Sequence, residues 1–162
     1  MEKRFIVLDT ETTGLEVEKG HRIIEIGGVV MNGRKKTSET FHAYINPQRE
    51  IDKEAQAVHG ISNEDLEDKP FFSDIADEFL EFIDGSTLVI HNADFDIGFL
   101  DAELKIASST YPAISDICEI KDTLAIARNK FPGQRNSLDA LSKRFEISGY
   151  DRSYHGALLD AN

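Results

Sequence analysis

The chain reads as an α/β protein, a mixed sheet with helices packed on its faces, and three observations lead there. The first half carries three apolar or alternating runs, with a hairpin signal between the second and third. The second half turns to the 3.6-residue periodicity of amphipathic helices, interrupted by one short apolar run. The length of 162 residues, 40% of them apolar, suffices for one core and does not require two, so a single domain over residues 1–162 is expected.

Taken in order, Arg4 to Asp9 reads as a buried strand, because Phe5-Ile6-Val7-Leu8 is continuously apolar with β-branched residues at its centre. Gly14 then opens a charged loop that runs through Gly20. Ile23 to Met31 is a second strand. Asn32-Gly33 signals a two-residue hairpin, since both central positions of a type I′ turn need positive φ, and Thr37 to Ile45 alternates well enough to pair back. From Pro47 the pattern becomes helical: Lys53 to Val58, ended by His59-Gly60, then Ser73 to Ile83 with Ile75, Phe79 and Phe82 on one stripe and Gly85 as its stop. Thr87 to Ile90 is another buried strand, and helices follow over Ala93 to Ala107, Thr123 to Lys130 and Ser137 to Phe145. An antiparallel meander followed by β-α-β units suggests a mixed five-stranded sheet of ribonuclease-H-like type, four of whose strands these runs locate.

The net charge of −12 argues against a protein that grips nucleic acid through a basic surface, because counterion release drives that kind of binding. An acidic enzyme can still use nucleic acid briefly. Lys121 to Arg152 is net positive, with seven basic residues against four acidic ones. Solvated helix faces account for that stretch, and a phosphate-contacting strip is the alternative. The lone Cys118 cannot form an internal disulfide, and the opening apolar run meets Asp9 before it reaches signal-peptide or membrane-span length, so a reducing, cytoplasmic setting is expected.

The carboxylates carry the chemical signal. Asp9 and Glu11 stand two positions apart, so in an extended chain they leave on the same side, a spacing that suits shared metal ligation. A turn or helix-capping role is the plain alternative for an acid-x-acid triplet in so acidic a chain. Asn92 is a natural N-cap for the helix after it, which puts Asp94 in the first turn, where a carboxylate suits the helix dipole. Asp96 instead shares its face with Phe99 and Leu100, where an unpaired charge is costly and a metal ion would explain it. His155 and Asp160 are five residues apart, about 140° around a regular helix, so His155 is expected to precede the helix that bears Asp160. Gly156 beside it permits a mobile loop suited to a base. Acidic groups gathered from distant parts of a chain point to hard divalent cations such as magnesium, and so to phosphodiester cleavage.

Three segments together resemble a known family. Asp9-Thr10-Glu11-Thr12-Thr13-Gly14, His91-Asn92-Ala93-Asp94-Phe95-Asp96 and His155-Gly156-Ala157-Leu158-Leu159-Asp160 are similar to the three motifs of the DEDD exonuclease superfamily, His-containing branch. Within it, Val58-His59-Gly60-Ile61 and the run from Phe131 to Leu141 resemble the proofreading epsilon-subunit family of bacterial DNA polymerase III. The resemblance implies a 3′-to-5′ exonuclease that releases nucleoside 5′-monophosphates from single-stranded or mispaired DNA 3′ ends. It implies Asp9, Glu11, Asp96 and Asp160 as ligands of two divalent ions, magnesium or manganese, with His155 as general base. Glu54 and His59 would hold the terminal nucleotide, with Phe95 adding apolar contact, and a replicative polymerase catalytic subunit would be the partner. The rival readings are an RNA 3′-trimming exonuclease of the same superfamily and a catalytically silent polymerase-docking module. Because the sequence stops two residues after Asp160, a last helix cut short and a missing polymerase-docking tail are also expected.

Overall fold

The computed structural model describes residues 4–33 and 35–130. His155, Asp160, the helix expected over Ser137 to Phe145 and most of the net-positive stretch lie outside the described residues. The centre of the fold is β1 (Arg4–Thr12) in a five-stranded sheet of order β3-β2-β1-β4-β5. It pairs antiparallel with β2 (Ile23–Asn32) from Arg4↔Asn32 to Thr12↔Ile23, and β2 pairs antiparallel with β3 (Lys35–Tyr44). On its other side β1 runs parallel to β4 (Thr87–Ile90), which runs parallel to β5 (Glu119–Asp122). The mixed α/β sheet expected from the sequence is present.

Strand alternation sets the core. Ile6, Leu8, Thr10 and Thr12 point to one face of β1 and are buried, while Phe5, Val7, Asp9 and Glu11 are half-buried on the other. The first face carries α3 (Phe72–Ile83) and α4 (Ala93–Ala107), whose Phe72, Phe79, Ile83, Phe99, Leu100 and Leu104 join Ile6, Leu8, Ile26 and Val30 in one apolar cluster. Each such side chain contributes about 1.5–3 kcal/mol on burial. A smaller cluster of Ile24, Ile51, Ile61 and Leu66 fastens α1 (Lys53–His59) and the single-turn α2 (Asn63–Leu66) to the start of β2. Among the described residues no helix is long and apolar enough to cross a membrane.

Several boundaries differ from expectation, each for a local reason. β1 extends to Thr12, because Thr10 and Thr12 are β-branched and keep pairing with Ile26 and Ile23. The hairpin turns one residue later than expected: Gly33 takes the positive φ of 61°, but Asn32 stays in β2 opposite Lys35. On α3 the buried stripe is Phe72, Ala76, Phe79 and Ile83, with Ile75 and Phe82 packed half-buried beside it. The sequence reading missed α2, the single-turn α5 (Ile114–Ile117) and β5. β5 is four residues with one apolar side chain, too short to show a period, and its partner β4 alone defines it. α6 (Thr123–Lys130) follows directly.

Candidate active site

β1 outruns its parallel neighbour. β4 pairs with it only at Phe5, Ile6 and Val7, so from Leu8 onward β1 has no β4 partner. A notch therefore opens at the carboxyl ends of β1 and β4, the place where open α/β sheets present ligand-binding groups. The start of α4 turns back into that notch and carries Asp96 to β1. There the Thr10 hydroxyl donates to Asp96 Oδ1 at 2.5 Å, with both side chains buried. Asp96 points to the apolar side as expected, Asp94 stands exposed, and Phe95 packs on Phe99 with ring centroids 5.0 Å apart. The N-cap expectation is corrected: Asn92 has a left-handed φ of 66° and its side chain makes no cap. The Asp122 carboxylate takes that role, accepting from the Asn92 and Ala93 amides at 3.1 and 3.0 Å.

The loop after β1 closes the other side. Asp52 N–H donates to Thr13 O at 2.9 Å, and the His59 ring lies 3.2 Å from Thr12 O through Nε2 while its Nδ1 accepts from Ile61 N–H at 3.0 Å. An accepting Nδ1 leaves Nε2 as the donor to Thr12 O, so the buried imidazole is held in one tautomer. Gly60 ends α1 with a φ of 73°, which lets the chain reverse directly behind that ring. His21 is buried beneath the same loop, with Nδ1 2.9 Å from Thr13 Oγ1 and Nε2 3.3 Å from Asp52 Oδ2. Gly14 is the only residue type that fits over it, because an added Cβ would overlap the imidazole ring.

Between these walls lies a pocket of about 400 Å³ that gathers Glu11, Glu54, His59 and Phe95 from three separate segments. Asp9 stands two residues before Glu11 on the same strand face. The pocket rim also holds residues the sequence reading passed over. Leu15 is 80% exposed and Val58 56% exposed, an uncommon placement for aliphatic side chains. Leu15 was legible as an apolar residue at the head of a charged loop. Thr10, lying between the two acids, gave no sign of its contact with Asp96.

The pocket's charge is acidic: Glu11, Glu16, Asp52 and Glu54 line it against Lys19, which is itself 3.4 Å from Glu16. An anionic substrate needs further positive charge there. Asp9, Glu11 and Asp96 are all-oxygen donors of the kind magnesium and manganese take. Among the described residues, no group of three or more His, Cys, Asp or Glu side chains forms a metal cage. The donor chemistry of Asp9, Glu11 and Asp96 suits a hard divalent ion.

Comparison with known proteins gives consistent findings. A sequence model of the family described as exonuclease matches residues 6–162. The DNA polymerase III subunit epsilon of Salmonella typhimurium is 53% identical over 162 residues, spanning 98% of this chain and 67% of that protein. Exonuclease X, solved in complex with 5′ overhanging duplex DNA, matches with a TM-score of 0.72 at 29% identity, over 98% of this chain and 83% of that one. Exonuclease I shares the fold at a TM-score of 0.83 and 15% identity, over 99% of this chain and 39% of that one.

Proposed function

The chain belongs to the exonuclease family, and within it to the DNA polymerase III epsilon subunits, and on that premise we propose how its residues carry out proofreading. It is a 3′-5′ exonuclease, and it releases nucleoside 5′-monophosphates from single-stranded or mispaired DNA 3′ ends. The observation that carries this reading is the pocket itself, which brings Glu11, Glu54, His59 and Phe95 together, with Asp9 two residues before Glu11 on the same strand face.

Asp9, Glu11, Asp96 and Asp160 would hold two divalent ions, magnesium or manganese. When bound, such ions supply Lewis-acid activation of water and stabilise charge on the departing 3′ oxygen. His155 takes the proton of the attacking water as a neutral imidazole. Glu54 binds the sugar or base edge of the terminal nucleotide, while His59, whose ring nitrogens are engaged by Ile61 N–H and Thr12 O, shapes the pocket wall that the nucleotide meets. Phe95, Leu15 and Val58 supply apolar surface against its base. A pocket of about 400 Å³ admits one nucleotide freed from its partner, and a mispaired end costs less to unpair than a paired one. The partner is a replicative DNA polymerase catalytic subunit, and the setting is the bacterial cytoplasm.

The test is digestion of matched 5′-labelled single-stranded DNA and RNA with magnesium and then manganese, beside Asp9→Ala. A shortening ladder on DNA that Asp9→Ala abolishes is the expected result. Preferential shortening of RNA replaces this reading with 3′ trimming, and no metal-dependent digestion of either leaves a docking module.

A further inference from the structure

Asp122 caps two helices at once. Its Oδ1 accepts from Leu124 and Ala125 amides at 2.9 and 3.2 Å, the normal N-cap bonds of α6, and from Asn92 N–H at 3.1 Å. Its Oδ2 accepts from Ala93 N–H at 3.0 Å, at the first turn of α4. Four backbone donors thus converge on one carboxylate, and two helix N-termini with their positive dipole ends are turned toward it. Asn92 cannot do this for α4, because its left-handed backbone takes its side chain away from the capping position. The adjoining pair His91 and Thr123, 3.1 Å apart through Nδ1 and Oγ1, adds a second tie between the segment after β4 and the start of α6.

We infer that Asp122 is a positioning residue for the reaction: it sets the height and rotation of the first turn of α4, and through that turn the placement of the Asp96 carboxylate against Thr10. Asp96 lies one turn from the capped amide of Ala93, so a frayed first turn moves the carboxylate directly. The cap also ties the start of α6 to the start of α4. The inference rests on the reading of Asp96 as a metal ligand.

Asp122→Ser separates the two caps. A serine hydroxyl at this position still reaches the Leu124 and Ala125 amides but is too short to reach across to Asn92 and Ala93. Asp122→Asn keeps one acceptor oxygen and is the conservative control. Manganese binding is read from loss of the free-ion electron paramagnetic resonance signal, beside far-ultraviolet circular dichroism and with Asp96→Ala as reference. Asp122→Ser is expected to fold and to bind manganese roughly five- to tenfold more weakly, the scale of a lost cap and its neighbouring contacts. Asp122→Asn should recover part of that loss. Asp96→Ala weakening manganese binding while Asp122→Ser binds like wild type overturns the inference. If Asp96→Ala itself binds like wild type, the metal-ligand reading of Asp96 fails instead. An Asp122→Ser protein whose only change is a lower melting temperature assigns Asp122 to general stability and also overturns the inference.

Discussion

Thr10→Val removes one hydroxyl from the centre of the site and changes almost nothing else. Valine has the same shape and a high strand propensity, so β1 keeps its pairing with β2. What is lost is the 2.5 Å bond to Asp96 Oδ1, formed where both side chains are buried. A hydrogen bond to a charged group contributes about 1.5–3 kcal/mol, and a buried carboxylate that loses a donor carries the desolvation cost of that oxygen. For a domain of this size about 1 kcal/mol moves the melting temperature by about 2–4 °C, so Thr10→Val should melt roughly 3–12 °C lower. Exonuclease turnover should fall about tenfold or more, because the Asp96 carboxylate loses a contact that orients it. Thr10→Ser keeps the hydroxyl and is the paired control. Thermal unfolding followed by circular dichroism, with single-nucleotide release as the activity readout, measures both. A Thr10→Val protein that melts with wild type, or a Thr10→Ser protein that loses as much, would refute the argument.

Gly14→Ala places a methyl against the His21 ring and should cost about 1–3 kcal/mol of stability, the scale of overpacking, with lowered activity as the Thr13–His21–Asp52 contacts shift; urea unfolding checks it. Cys118, buried and donating to Ile83 O at 3.1 Å, has its thiol pKa pushed up to about 11 by burial. It should resist iodoacetamide at pH 8 in the folded protein and react after unfolding. Because that folded pKa lies above the unfolded one, the group favours the folded state at neutral pH, and the contribution fades as pH rises from about 9 towards about 11, which alkaline melting curves would show. His155→Ala should slow single-turnover hydrolysis by roughly 100-fold or more while manganese binding persists.

Long periodic segments were the legible part of the fold. α4 and β4 occupy the residues expected for them, since one repeats apolar side chains over four turns and the other sets Leu88-Val89-Ile90 behind a β-branched threonine between turn residues. Elements that a neighbour defines were not legible: β5 exists through its ladder with β4, and α5 is a single turn. The same division holds for the site. The burial of Asp96 followed from its helical spacing to Phe99 and Leu100, whereas the Thr10 and Asp122 contacts span 86 and about 30 residues of sequence and leave no local pattern. Asn92 shows how a good local rule is overridden. Asparagine suits an N-cap, but it also tolerates left-handed backbone, and the exit from β4 requires the second property.

The most direct test compares release of the 3′-terminal nucleotide from two primer–templates that differ only in whether that nucleotide is paired. With magnesium present, the account predicts faster release from the mispaired end, nucleoside 5′-monophosphate as the product, and no release when the metal is chelated. Equal rates on the two ends, a product other than the mononucleotide, or activity that survives chelation would contradict it.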